Sequence, residues 1–386
     1  MNKLLTDALR VGACIYAVSI PAVVNADWSI IGLGTLGGTS SFANSINDSG
    51  QVVGSYLTTD GHSHAFITGA NGVGMANLGT LGGTSSSASN INNLGQVVGN
   101  STIADGSSHA FITGTNGAGM TPLDNLGGTY SIAQGINDAG QVVGTYHTDD
   151  HYSHAFITGV NGVGMTDLGT QSLNSDAQSI NDSGQVTGYS ETPTMLDYPT
   201  HAFITGANGI GMTDLGTLGG TRSSAVDINN SGQVVGGAFT FSSNGGYHAF
   251  ITGANGVGMT DLGTLGGVDS FAQGINDSGQ VVGNSSIANG SYHPFIFNNG
   301  EMTDLLLLPT VIAAGWIELI AVDINNNGQI IGYGRLDSDP SYQQAFLLSF
   351  SSDTVFPIPE PQTYAMLLAG LGLLGFVSHR RKELAA

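Results

Sequence analysis

The chain has 386 residues, 60 of them glycine, with only 9% charged residues and a formal net charge of −21. Between Asp27 and Pro359 there are 25 acidic residues against two basic ones, Arg222 and Arg335, a balance of about −23. That span cannot neutralise a phosphate backbone, so nucleic-acid binding is excluded. The lone cysteine, Cys14, excludes structural disulfides and cysteine-based metal sites, while 40% hydrophobic content in regular Val, Ile and Phe clusters argues against disorder.

In chain order, Lys3 and Arg10 accompany an apolar run from Val11 to Val24, and Val24-Asn25-Ala26 places small or apolar residues before Asp27. Residues 1–26 read as a secretory signal peptide. The run is short for a membrane anchor and contains Pro21. Cleavage leaves a chain without cysteine, which suits an oxidising exterior.

From there to residue 350 one unit recurs. Its G-Q-[VI]-x-G element places glutamines at Gln51, Gln96, Gln141, Gln185, Gln233, Gln280 and Gln329, spaced 45, 45, 44, 48, 47 and 49 residues apart. Each unit predicts four short strands: A, as in Ser41 to Asn47; B, as in Gly50 to Tyr56; C, as in His64 to Thr68; and D, as in Met75 to Gly79. N-[DN]-x-G joins A to B, and Asn71-Gly72 and its counterparts join C to D, both tight-turn chemistry. Strands A, B and C occur seven times, but D follows C only six times, and the missing strand lies at Trp28 to Leu33. The expected fold is therefore all-β: a seven-bladed β-propeller over residues 27–350, closed by its N-terminal strand, which removes long unpaired edges. A β-solenoid is the alternative, but it needs no closure and usually has shorter coils.

If A is innermost, the A–B and C–D turns share one face, and the glycine-rich D–A links share the other with the variable B–C loops. Those loops, among them Arg335 to Tyr342, predict a binding rim that includes Asp60, Asp149, Asp150, Tyr152, Tyr198, Phe241, Tyr247 and Tyr342. Tyr and Phe of these loops, including Phe239 and Tyr292, could stack on sugar rings; more commonly such residues cover blade edges. The repeated histidines His64, His109, His154, His201, His248 and His293 read as structural, each hydrogen-bonding the adjacent glycine-rich link, because ring-related residues sit too far apart to share one ion. His147, Asp149, Asp150 and His151 form the one local cluster that could hold a cation, with a solvated acidic loop as the plainer reading. No cofactor is expected, calcium on those carboxylates being the one alternative. No nucleophile–base pair stands out, no phosphate-loop motif occurs, and no catalytic residue is assigned.

The H-A-F triplets at His64, His109, His154, His201 and His248, with I-N-x-x-G-Q-V-V-G upstream, make the repeat similar to the HAF family of probable extracellular repeats. Copies six and seven depart as His293-Pro294-Phe295 and Gln344-Ala345-Phe346. The resemblance implies no enzymatic activity.

Residues 351–362 form a Pro-containing linker, and residues 363–386 an apolar segment with a basic tail, which predicts a membrane helix whose basic end is cytoplasmic. Ile358-Pro359-Glu360-Pro361-Gln362-Thr363, the apolar run and Arg380, Arg381 and Lys382 together resemble the PEP-CTERM sorting signal, also labelled the ice-binding protein C-terminal motif. That resemblance implies an exosortase partner, inner-membrane anchoring before processing, a cell-surface or extracellular destination and a biofilm or exopolysaccharide setting; the label does not itself imply ice binding. The expectation is an exported, non-enzymatic surface or matrix propeller that binds a glycan such as exopolysaccharide, or a surface protein. A secreted glycan-active enzyme or a purely structural matrix component are the alternatives.

Overall fold

A computed structural model describes residues 27–351, apart from 125, 127, 129, 149–151, 170–173, 193–198 and 242–244. Seven four-stranded antiparallel sheets succeed one another along residues 28–350. In blade 1, strand A is Ser40–Ile46, B is Val52–Leu57, C is Ser63–Thr68 and D is Met75–Gly79. The A strands of neighbouring blades contact one another around the ring, so A is innermost. Blade 7 takes Trp316–Ile324, Ile330–Leu336 and Asp339–Ser351 from the end of the repeats and completes itself with Asp27–Gly34. The ring is a seven-bladed propeller closed by its N-terminal strand. Trp28 packs edge-on against Phe350, with ring centroids 5.0 Å apart, where the two ends of the propeller meet.

The repeated phenylalanine explains why the blades stack. Phe66, Phe111, Phe156, Phe203, Phe250, Phe295 and Phe346 are all at most 1% exposed. They belong to clusters shared between adjacent blades: Val53, Ala65 and Ile67 of blade 1 pack with Ala88, Ile91, Val97 and Phe111 of blade 2. Each buried Phe contributes roughly 2–3 kcal/mol of transfer free energy, so the core is a ring of inter-blade layers, not a single centre.

Strand A carries a bulge in every blade, between Ala43 and Ser45 in the first. The bulge drives the strand A carbonyl toward strand B. A Cβ on Gly54 would lie 1.9 Å from the Phe42 oxygen, and one on Gly144 would lie 2.0 Å from that of Ile132. The final glycine of G-Q-V-V-G is thus a steric requirement.

Two features depart from the sequence expectation. The variable loop expected at Arg335 to Tyr342 is mostly paired strand, with Leu336 opposite Asp339 across a two-residue turn. A short helix, Pro309–Ala313, precedes blade 7, with proline in its first turn and Gly315 just beyond its end. Among the described residues no helix is long and apolar enough to cross a membrane. The expected membrane helix, the signal peptide and the sorting residues Pro359, Glu360, Pro361, Arg380, Arg381 and Lys382 lie outside the described residues.

Candidate functional site

The N-[DN]-x-G-Q turn does more than reverse the chain. The Asn47 side-chain amide donates to Gln51 Oε1 within its own turn and to the Asn92 carbonyl of the next blade. The bond to the next blade recurs from Asn92, Asn137, Asn181, Asn229 and Asn276, and Asn325 returns it to the Asn47 carbonyl, at 2.9–3.1 Å throughout. These asparagines are 3–4% exposed, so each satisfies a buried carbonyl and its own buried amide at once. The second turn residues form another closed circle. Backbone N–H groups of Asp48, Asn93, Asp138, Asp182, Asn230, Asp277 and Asn326 each donate to the side-chain oxygen of the next member, at 2.8–3.0 Å. Amide and carboxylate alternate, so Asn93, Asn230 and Asn326 each bridge two carboxylates. Seven is odd, and the alternation fails once, between Asp138 and Asp182.

Inside this collar lies a cavity of about 470 Å³, lined by the A strands and their turns. Its wall holds asparagine, glutamine, serine, aspartate, isoleucine and valine, with no lysine or arginine. At the bulge position blades 1 and 4 carry Ser45 and Ser179, blade 2 Asn90, and blades 3 and 6 Gly135 and Gly274, but blades 5 and 7 carry Asp227 and Asp323. Asp227 accepts from the Ile228 and Ile275 amides and the Ser179 hydroxyl, at 2.9, 2.9 and 2.7 Å. Asp323 accepts from the amides of Ile324, at 2.7 Å, and of Ile46 across the blade 7–blade 1 junction, at 3.0 Å. Burial, and then the charge of Asp227, push the Asp323 carboxyl up to about 7; burial also raises Asp227. A Cβ on Gly274 would lie 2.9 Å from Asp323 Oδ1, so the glycine of blade 6 leaves room for the carboxylate of blade 7.

On the opposite face the longest connected run of described aromatic rings lies on blades 5 and 6. Ring centroids run Phe239 to Tyr247 at 4.1 Å, Tyr247 to Phe271 at 5.4 Å and Phe271 to Tyr292 at 6.5 Å. Phe241, two residues after Phe239, is 89% exposed. Asp269 ties the strip together, accepting from the Tyr247 amide and the Tyr292 hydroxyl at 3.0 and 3.3 Å. Gly237 makes the packing possible, since a Cβ there would sit 3.2 Å from the Phe271 ring. Sequence reasoning missed Phe271, which comes from strand A and not from a loop. The available signal was Gly237, at a place where other blades carry Ser55, Asn100, Thr145, Tyr189, Asn284 or Tyr333.

The other rim candidates are spread around the ring. Asp60 sits in the B–C turn of blade 1, its carboxylate accepting from the Thr58 hydroxyl, which holds it below the usual carboxylate range. Tyr342, 48% exposed, lies on blade 7, and Tyr152 on blade 3. Asp149, Asp150, His151 and Tyr198 lie outside the described residues, and His147 packs edge-on against Tyr130 at 5.4 Å. Among the described residues no group of three or more His, Cys, Asp or Glu could hold a metal ion.

In blades 3 to 6 the repeated histidine faces a strand D aspartate, in place of the expected glycine-rich link. His201, His248 and His293 lie 2.8, 2.8 and 2.7 Å from Asp214, Asp261 and Asp304. His154 Nδ1 lies 3.3 Å from Asp167, too poorly aligned for a hydrogen bond. The aspartates in turn accept from the link, as from the Gly216 and Gly263 amides at 2.7 Å. Blade 1 has Asn77 and blade 2 Pro122 in place of the aspartate; His109 instead meets Ser107 at 3.2 Å, and His64 stacks near Tyr56 at 5.9 Å.

Residues 357–382 match the PEP-CTERM protein-sorting motif. The chain carries an export signal. That motif is the general substrate signal for exosortase processing and indicates a surface or extracellular location. Residues 259–358 match a family described as a protein of unknown function (DUF3466). No curated protein matches the chain by sequence. Among solved structures the chain is similar to an oligogalacturonate lyase in complex with manganese, at 11% identity and TM-score 0.56 over 83% of this chain and 93% of that one. It is similar to the β-propeller domain of the Trilobed protease from Pyrococcus furiosus, at 8% identity and TM-score 0.53 over 81% and 94%. An oligogalacturonate lyase from Vibrio parahaemolyticus matches at 9% identity and TM-score 0.53 over 84% and 97%. At these identities the likeness concerns the fold.

Proposed function

We propose that the exported propeller is a non-enzymatic binding module of the cell surface or extracellular matrix, and that its ligand is an uncharged glycan held on the aromatic strip of blades 5 and 6. The strip carries the proposal. Four rings at 4.1–6.5 Å spacing offer apolar faces to the C–H faces of successive sugars, and Phe241, two residues after Phe239, adds an exposed ring. The Asp269 carboxylate beside two of the rings supplies an acceptor for sugar hydroxyls. The acidity of the span from Asp27 to Pro359 disfavours anionic polysaccharide. The HAF-type resemblance, which implies no activity, and a sorting signal associated with exopolysaccharide settings support the same reading.

The test is calorimetric titration of the mature protein with neutral oligosaccharides and with the producer's own polysaccharide, with and without calcium. Tyr247→Ala and Phe241→Ala should each weaken binding by about 5- to 10-fold. Release of new sugar ends in the same mixtures would replace the binding reading with that of a glycan-active enzyme. Self-assembly without binding any glycan would favour a structural matrix component.

A further inference from the structure

Nine Asn-Gly pairs occur along residues 71–328, and eight of them start at a described residue. Asn-Gly is chemically labile. The deprotonated glycine nitrogen attacks the asparagine Cγ, a C–N bond forms, the Cγ–Nδ2 bond breaks and ammonia leaves. Water then opens the resulting succinimide to aspartate or isoaspartate. Two things retard this in a folded chain: a hydrogen bond on the glycine N–H, which opposes its deprotonation, and anything that stops the Asn-Gly peptide plane from turning toward Cγ.

Five pairs sit in the C–D turns of blades 1 to 5, with their asparagines left-handed at φ 53–56°. In each the glycine N–H donates to a carbonyl of the A–B turn: Gly72 to Gly50, Gly117 to Gly95, Gly162 to Gly140, Gly209 to Gly184 and Gly256 to Gly232, at 2.9–3.1 Å. In each the asparagine Oδ1 also accepts from a repeat glutamine of the preceding blade, as Asn116 does from Gln51 and Asn71 from Gln329, at 3.2–3.3 Å. The insistent glutamine of G-Q-V-V-G therefore holds the neighbouring blade's asparagine amide in place. Elsewhere, Gly290 donates to Ile287 and Gly328 to Asn325, at 2.9 and 3.0 Å.

Asn299-Gly300 differs. It is the two-residue turn between strands that pair Asn298 with Glu301, both of its residues are exposed, and Asn299 has φ 52°. Among the described residues neither the Gly300 N–H nor the Asn299 side chain has a hydrogen-bond partner. We infer that Asn299 is a site of spontaneous modification, where the folded protein converts to aspartate and isoaspartate, and that the inter-blade glutamine clasp guards the chemically equivalent pairs of blades 1 to 5. Isoaspartate adds a backbone carbon inside the tight hairpin and so loosens strand D of blade 6.

The experiment ages the folded, full-length mature chain in mildly alkaline buffer and follows each Asn-Gly peptide by mass and by isoaspartate-specific methylation. Asn299 should react at least about tenfold faster than Asn71, Asn116, Asn161, Asn208, Asn255, Asn289 and Asn327, the factor expected from one lost hydrogen bond. In denaturant the eight rates should converge, which identifies the fold as the cause. Gln96→Leu, with its circular dichroism checked against wild type, should release Asn161 alone. Equal rates in the folded chain, or any of the seven reacting first, would overturn the assignment; an unchanged Asn161 in Gln96→Leu would overturn the guarding role of the glutamine.

Discussion

Replacing Asp323 by serine, the residue that blades 1 and 4 carry at the bulge, should change how stability depends on pH. Burial and the neighbouring Asp227 raise the Asp323 carboxyl from 3.8 to about 7 in the folded chain, while the unfolded chain keeps the ordinary value. The folded state therefore holds a proton that the unfolded state has released between roughly pH 4 and 7, so stability falls as pH rises through that window and the penalty is complete above it. A gap of about three units corresponds to roughly 4 kcal/mol at most; the carboxylate is only half-buried in the channel wall, and solvent screening reduces the realised penalty to about 2 kcal/mol. Serine forfeits acceptors for the Ile46 and Ile324 amides, at about 1 kcal/mol each. Asp323→Ser should thus be less stable than wild type near about pH 4.5 by ~1–2 kcal/mol and should close or reverse that deficit near about pH 8. Denaturant midpoints across that range provide the measurement, with the carboxylates other than the coupled Asp227 cancelling between the two proteins. Parallel stability curves would refute the argument that a channel carboxyl is protonated near neutrality.

Asn181→Leu breaks the inner asparagine circle, removes one of the two donors to the Asn229 carbonyl and leaves the Ser183 and Gln185 amides without their acceptor; equilibrium denaturation should show a loss of about 2–4 kcal/mol. Gly144→Ala places a methyl against the Ile132 carbonyl and should lower the thermal midpoint by an amount equivalent to about 1–3 kcal/mol, whereas Gly61→Ala, in an open turn with nothing within 4 Å, should cost less, through its positive φ alone. Pro294→Ala and Leu319→Ser, combined, should restore an inter-blade link present at six other junctions; a double-mutant cycle should give a favourable coupling of about 0.5–1.5 kcal/mol.

Repeat count, strand order and closure were legible because each rests on local chemistry: strand-forming clusters, Asn and Gly turn signals, and a D strand absent from the end but present at Trp28. What stayed hidden was long-range. The asparagine of N-[DN]-x-G reads as a turn residue in any single copy; that its amide reaches the next blade's carbonyl depends on how far apart two turns lie in space. The same holds for Asp227 and Asp323, which look like ordinary polar positions of strand A until the ring brings them into one wall. The aromatic strip was half legible, since Phe239, Tyr247 and Tyr292 are loop-adjacent while Phe271 reaches them only through inter-blade packing. Helix Pro309–Ala313 replaces a glycine-rich link, so no repeat pattern announces it.

The junction between blades 6 and 7 shows how the repeat tolerates loss of its own rules. Elsewhere a strand A serine accepts from the strand C alanine amide of the preceding blade, as Ser86 does from Ala65 and Ser41 from Ala345. At this junction the donor position is Pro294, which has no N–H, and the acceptor position is Leu319. A serine retained there would be a buried hydroxyl without its donor, so the two changes make sense only together. Among the described residues Gln233 and Gln280 also lack the clasp that five other glutamines make. Apolar packing replaces these bonds: Leu319, 1% exposed, joins Ile296, Leu305, Val311, Trp316 and Phe346 in one cluster. The short helix supplies Val311 to it. Burial therefore stands in at this junction for the serine and glutamine bonds, while the two asparagine and aspartate circles and the Asn284–Ala321 pair still cross it; at the preceding junction, the clasp missing from Gln233 of blade 5 is what leaves the Asn299 turn of blade 6 free.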